Sequence, residues 1–334
     1  MNRRQFLSTS GALLCLPGVG FAATKSGGSP KTLILVELKG GNDGLNTVVP
    51  FADPAYRALR PTIGIAREKV LQLDERTGLH PATAPLMPLW RDGQLAVVQG
   101  VGYAQPNLSH FRSMEIWDTA SRSDQYLRDG WLVRALGRAR NADAVAINSS
   151  EAGPFASAAA SRFVDSLTIK TSGAFQTSIN HLANDPLRRE LTVLRLTLNG
   201  FDTHQNQPAR HAALLAELSE GIASMRRALT ELGRWNETLI VTYSEFGRRA
   251  RENQSGGTEH GTAAPHFVAG GRVRGGLYGA PPSLARLDGN GHLPIAVDFR
   301  QIYATVLGSW LDLDATSILQ QRFEPLPLIN AYAT

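Results

Sequence analysis

Five short polar stretches of this chain carry side chains that could do chemistry: Asp43; Asn107, Ser109 and His110; Asp202 and His204; Ser244 and Glu245; and Glu259 with His260. Each of the first four follows an apolar run, and the fifth precedes one. Ligands of open α/β sheets bind beyond the carboxyl ends of the strands, so these residues are expected at one sheet edge. The only cysteine is Cys15. Without thiolates further on, Asp, Glu and His are the side chains that can hold Zn²⁺, Mn²⁺, Mg²⁺ or Ca²⁺, one ion or two. A lone Asp after Gly-Gly-Asn is ordinarily a turn residue. The recurrence at successive strand ends is what points to a site.

The elements that must position them follow from hydrophobic patterning. Thr32 to Leu38 is nearly all apolar, as in a strand buried on both faces. Gly40-Gly41-Asn42-Asp43-Gly44 ends it. A helical segment, Ala84 to Arg91, leads to a second apolar run, Leu95 to Val101. A third, Leu191 to Leu198, stops at Asn199-Gly200-Phe201-Asp202. Pro208 to Leu232 places Leu214, Leu215, Leu218, Ile222, Met225 and Leu229 at helical steps. Thr238 to Tyr243 is a fourth strand, His266 to Ala269 a short fifth, and Phe299 to Leu311 a helix. Strands alternating with helices predict an α/β fold: a doubly wound, largely parallel sheet with helices on both faces. Residues 104–190 are less regular and read as an insertion or cap within one domain, 23–334.

Residues 1–22 read as an export signal. Asn2-Arg3-Arg4-Gln5-Phe6-Leu7 resembles the twin-arginine motif, an apolar stretch follows, and Gly20-Phe21-Ala22 suits a signal peptidase. Pro17, Gly18 and Gly20 would break a helix there. This predicts a periplasmic or secreted protein whose mature part lacks cysteine. The formal charge of +5 includes Arg3 and Arg4. The small remaining surplus, without basic clusters interleaved with aromatics, argues against nucleic-acid binding. No later run is long and apolar enough to predict a transmembrane segment.

Beyond these patterns, the chain resembles the bacterial domain-of-unknown-function family numbered 1501. The resemblance is carried by Lys39 to Pro50, Gly78-Leu79-His80-Pro81, Asn107 to Met114 and Phe201-Asp202-Thr203-His204. It continues through Ser244 to Arg249, Gly257 to Thr262 and Gly275 to Gly279, with Glu259 where the family pattern has Asp. The family is similar to the alkaline phosphatase and sulfatase superfamily. That implies a three-layer sandwich and a metal-dependent hydrolase of phosphate, phosphonate or sulfate esters, with a small anionic ester as substrate.

Carried over residue by residue, Asp43 resembles the metal-binding Asp after the first strand. Ser109 resembles the nucleophile at a helix start. Asp202 and His204 resemble the next metal pair, with His211 an alternative imidazole. The superfamily's Asp-His-Gly has two matches: Glu259-His260-Gly261 by letters and Glu245-Phe246-Gly247 by position. The positional match implies one metal on Asp202, His204 and His260 and a second on Asp43, Ser109 and Glu245, with Phe246 replacing an imidazole. His110 and His80 would then be general acids or supporting partners, and Arg112, Arg248 and Arg249 anion clamps. The alternative is a binding or assembly protein that keeps the sheet without the chemistry. A dinucleotide-dependent oxidoreductase is disfavoured, because the glycine spacing is wrong and Asp43 would repel a pyrophosphate.

Overall fold

The apolar runs become strands of one large sheet. The computed structural model describes residues 30–138, 142–149, 151–157, 164–167, 174–183 and 190–331. The expected signal over residues 1–22, and Cys15 with it, lies outside them. In chain order the strands are β1 (Lys31–Lys39), β2 (Val48–Val49), β3 (Leu71–Gln72), β4 (Gly78–Leu79), β5 (Leu95–Gly102), β6 (Ala142–Ile147) and β7 (Val164–Leu167). They continue with β8 (Leu191–Asn199), β9 (Thr238–Tyr243), β10 (Gly247–Glu252), β11 (Thr258–Gly261), β12 (Ala264–Ala269), β13 (Gly276–Tyr278) and β14 (Val297–Asp298). The α-helices are α1 (Gly44–Thr47), α2 (Pro54–Leu59), α3 (Met87–Arg91), α4 (His110–Thr119), α5 (Trp131–Leu136), α6 (Ala174–Ala183), α7 (Gln207–Glu231), α8 (Phe299–Ala304) and α9 (Ala315–Leu319).

The large sheet runs β13-β5-β12-β9-β1-β8-β6-β7, with β14 beside β5. Its pairings are parallel except those of β12, which lies antiparallel between β5 and β9. Odd-numbered residues of β1, such as Leu33 and Leu35, face a core shared with α4, α5 and α8. Even-numbered ones, such as Ile34 and Val36, face a core shared with α6 and α7. The fold is thus α/β with helices on both faces, as expected.

Three local differences have physical causes. Within 104–190, the described strands β6 and β7 extend the main sheet. The helix expected over 84–91 is a 3-10 turn, Pro81–Leu86, that becomes α-helical only at Met87. Pro85 and Pro88 remove the amide donors a longer α-helix needs. The C-terminal helix continues α8 as a π-helix, Thr305–Trp310.

Register positions the site. β1 pairs with β8 from Lys31↔Leu191 to Lys39↔Asn199, and with β9 from Thr32↔Thr238 to Glu37↔Tyr243. The carboxyl ends of three neighbouring strands are therefore level, and their loops leave side by side. Gly40 and Gly41 adopt φ of +122° and +83°. A Cβ on Gly40 would lie 2.3 Å from the Asp202 amide nitrogen, and one on Gly41 would lie 2.5 Å from the Phe246 ring. Only glycine lets these loops close on one another.

Candidate metal centre

The loop after β8 supplies Asp202 and His204, the start of α4 supplies His110, and β11 supplies His260. One ligand atom each from His110, Asp202 and His260 lies within 4.8 Å of the others. His204 joins through the same carboxylate: its Nε2 is 2.9 Å from Asp202 Oδ1. His260 Nε2 is 3.2 Å from that oxygen and 3.1 Å from His204 Nε2. His110 Nε2 is 3.6 Å from Asp202 Oδ2. The group opens to solvent, with the Asp202 side chain 44% exposed and that of His260 22%.

Each imidazole is held from behind. His110 Nδ1 is 2.8 Å from Glu245 Oε1, His204 Nδ1 is 3.3 Å from Glu259 Oε2, and His260 Nδ1 is 3.0 Å from the Leu108 carbonyl oxygen. Carboxylates and carbonyls only accept, so each Nδ1 carries a proton, and a ring without a second proton turns an Nε2 lone pair toward Asp202. Two such lone pairs 3.1 Å apart beside one carboxylate oxygen repel unless positive charge lies near, and Arg248 supplies part of it, with Nη2 2.6 Å from Asp202 Oδ1 and Nη1 3.4 Å from His204 Nε2. Imidazoles fixed by outer carboxylates are what a divalent ion needs. The donor set fits the expected metal.

Glu245 also locks α4. Its Oε1 accepts from the Gly40 amide at 2.8 Å, while its carbonyl accepts from Trp117 Nε1 at 2.9 Å and from Ser113 Oγ. Tyr103 braces Ser113 at 2.7 Å. Phe246 packs against His110 and His260, with ring centres 4.9 and 4.4 Å apart. Arg248, side chain fully buried, donates Nε to Gly41, Nη1 to Thr258 and Nη2 to Gly40, Phe201 and Asp202. It ties three loops together and leaves no donor free to clamp a substrate.

These contacts set the charge states. The hydrogen bond that His110 donates to Glu245 raises His110 above its ordinary range against the opposing effect of burial. Burial lowers His260. Burial works to raise Asp202, but the Arg248 hydrogen bond and charge outweigh it, and Asp202 lies below the usual carboxylate range. The Asn253 hydrogen bond lowers Glu259.

Several expected site residues sit elsewhere. Asp43 does not join the cluster. It is fully buried, 2.5 Å from Arg60 Nη1, and accepts from Gln207. Arg60 also donates to Asn46 Oδ1 and to the Arg249 and Ala250 carbonyls. A guanidinium thus fills the place expected of a second metal. Glu245 and Glu259 both stand behind histidines, so the match by position and the match by letters each found a supporting carboxylate. Arg112 turns its Nη2 to the Ser123 and Gln125 carbonyls and pairs through Nη1 with Glu115. Ser109 is the exposed N-cap of α4, and its hydroxyl makes no capping bond. Arg249 is half-buried, and among the described residues its side chain has no hydrogen-bond or ion-pair partner.

The remaining histidines lie outside the cluster. His211 Nε2 is 2.9 Å from Asn42 Oδ1, and burial lowers it and His80 to about 4. His266 is buried against Trp117, His181 lies by Asp143, and His292 by Asp288. Arg60 and Gln207 escaped sequence reasoning, standing 17 and 164 residues from Asp43 with no local motif to mark them.

No curated protein matches the chain. Among solved structures it is similar to the C-terminal periplasmic domain of the phosphoethanolamine transferase EptC from Campylobacter jejuni, at 11% identity and TM-score 0.44, over 75% of this chain and 82% of that one. It is similar to the lipoteichoic acid synthase LtaP from Listeria monocytogenes at 11% identity and TM-score 0.44, over 74% and 69%. It is also similar to a protein in the alkaline phosphatase superfamily from Vibrio parahaemolyticus at 10% identity and TM-score 0.43, over 76% and 63%. Among the described residues no helix is long and apolar enough to cross a membrane. The model of the family described as Protein of unknown function (DUF1501) matches residues 172–321, the stretch that carries Asp202, His204, Glu245, Glu259 and His260, so the family resemblance expected from the motifs holds there.

Proposed function

We propose that this is an exported hydrolase of phosphate, phosphonate or sulfate esters that uses one divalent ion held by His110, Asp202, His204 and His260. The observation that carries this reading is the set of imidazoles whose Nδ1 atoms are held from behind and whose Nε2 atoms surround one carboxylate. When bound, the ion would polarise an anionic ester and acidify an oxygen nucleophile. Ser109 is the proposed nucleophile. It lies between Leu108, whose carbonyl holds His260, and His110. It also occupies the N-cap position of a ten-residue helix whose N-terminal dipole favours an anion. Arg249 is the arginine left to meet the substrate, while Arg248 orients Asp202.

The burial of Asp43 with Arg60 supports one ion rather than two. It also keeps open a second reading, a metal-binding protein without turnover. Two variants and a metal analysis test the choice. Wild-type protein is expected to bind about one equivalent of Zn²⁺ and to hydrolyse a model aryl phosphate or sulfate. Ser109→Ala should abolish turnover with metal content intact, and His260→Ala should lose both. Metal binding without turnover of any ester would favour the second reading. Full activity in Ser109→Ala would make Ser109 only a helix cap.

A further inference from the structure

Strand β5 is interrupted by a bulge that brings a polar side chain to a cavity. Val98 pairs with His266 and Val101 with Ala264, so Gln99 and Gly100 stand opposite Pro265 alone. Gly100 takes φ of +65°, and Pro265 has no amide to offer the ladder. On the other edge of β5, the pairing of β13 ends at Val98 and that of β14 begins at Val101, which leaves Gln99 in the gap between them. Leu277 pairs with Val97 and packs against the same core. Gln99, the second residue after Val97, shares that face.

A cavity of about 220 Å³ opens there, lined by Gln99, Leu277 and three prolines and reaching Asp53, Asp74 and Arg76. Prolines have a fixed φ, so such walls are preformed. Gln99 is 3% exposed, yet its Oε1 is buried without a hydrogen-bond partner among the described residues. A smaller void of about 20 Å³ also touches Gln99, but no other side chain lining it carries an N–H or O–H. Buried acceptors are normally paired, so this one calls for a donor from outside the chain. Asp53 and Asp74 each give Oδ1 to a backbone amide, at 2.9 Å from Ala55 and 2.6 Å from Thr77. Two carboxylates against one guanidinium leave the lining with a negative excess. An inner acceptor, apolar walls and an anionic surround suit a cation that carries N–H groups on an apolar body. None of these residues belongs to the metal centre.

We propose that this cavity is a second binding site, for a small organic cation whose N–H group donates to Gln99 Oε1 while its apolar body lies against the prolines and Leu277. The site stands whether or not the metal centre hydrolyses esters. Zn²⁺-loaded full-length protein is titrated in a calorimeter with benzamidine and with benzamide, a cation and a neutral amide of one shape. Benzamidine is expected to bind saturably and about tenfold tighter, the difference between a charged and a neutral donor. Gln99→Leu keeps the bulk of the side chain without its acceptor and should weaken benzamidine about tenfold. Asp53→Asn combined with Asp74→Asn keeps both backbone contacts but removes the charge, and should cut the preference for benzamidine about threefold. Absence of saturable benzamidine binding, or an affinity untouched by Gln99→Leu, would overturn the proposal. Benzamide binding as tightly as benzamidine, or a preference untouched by the paired Asn changes, would overturn it too, since the site would then not be selecting a cation.

Discussion

Removing the Arg60 cation tests whether Asp43 is a structural anion or a displaced metal ligand. Both side chains are 0% exposed and 2.5 Å apart. The Arg60 charge and hydrogen bond hold Asp43 below the usual carboxylate range although burial works to raise it. Arg60→Met keeps much of the stem volume but leaves a buried carboxylate without its partner, which costs about 3–5 kcal/mol. The Asn46, Arg249 and Ala250 acceptors are stripped at the same time. A domain with about 5–15 kcal/mol to lose should remain folded with a narrow margin. Asp43→Asn also strands a charge, so it should destabilise as well. The double variant carries neither charge and should cost less than the two singles together by about 2 kcal/mol. Urea unfolding at neutral pH measures all four proteins, with metal content determined on each. The reasoning is refuted if Arg60→Met falls within about 1 kcal/mol of wild type, or if the effects add. It is equally refuted if Asp43→Asn loses the ion, which would return Asp43 to the ligand set.

Glu245→Gln keeps an acceptor for His110 Nδ1 and Gly40 but removes the charge, so Zn²⁺ affinity measured by chelator competition should fall about tenfold; unchanged affinity would reduce Glu245 to a packing residue. A pH titration of stability is the other test. Burial depresses His80 and His211 to about 4 from 6.5, so the folded state keeps them neutral while an unfolded chain takes up protons. Their contribution is complete above pH 6.5 and is lost as pH falls toward 4, by about 3 kcal/mol for each group. His211→Gln should flatten that limb of the stability curve; an identical acid limb in the variant would contradict the burial argument.

The strand ends were legible because each is marked twice. An apolar run buried on both faces stops, and a glycine or asparagine follows, as at Lys39-Gly40 and Asn199-Gly200. That double mark placed His110, Asp202 and His204 beyond strand ends, while His260 was placed only by lying just before the fifth apolar run. Partners were not legible. Asp43 and Asp202 look equivalent in sequence, each just past a strand. Their different fates are decided by Arg60 and Arg248, which arrive from other parts of the chain. Glu245 and Glu259 present the same difficulty. A carboxylate beside a metal histidine reads as a ligand, yet a carboxylate bonded to the ring's other nitrogen sets the tautomer, and only side-chain direction separates the two. Within 104–190, β6 and β7 were harder to read because they are only six and four residues long, and patterning is weakest in short strands.

Formal charge gives an independent argument for a single ion. Bonded directly to the imidazoles or to Asp202 are three carboxylates, Asp202, Glu245 and Glu259, and one guanidinium, Arg248. That leaves two negative charges in a partly buried site, which one divalent cation balances. A second ion would leave the site as positive as it was negative, with Asp43 already neutralised by Arg60 and no carboxylate free to join. Repulsion of that kind is costly where screening is weak. With one ion the centre is near neutral, and on the proposed hydrolase reading an ester anion would depend on Arg249 and the α4 N-terminus for its attraction. Substrate affinity should therefore fall when Arg249 is removed even though metal affinity does not.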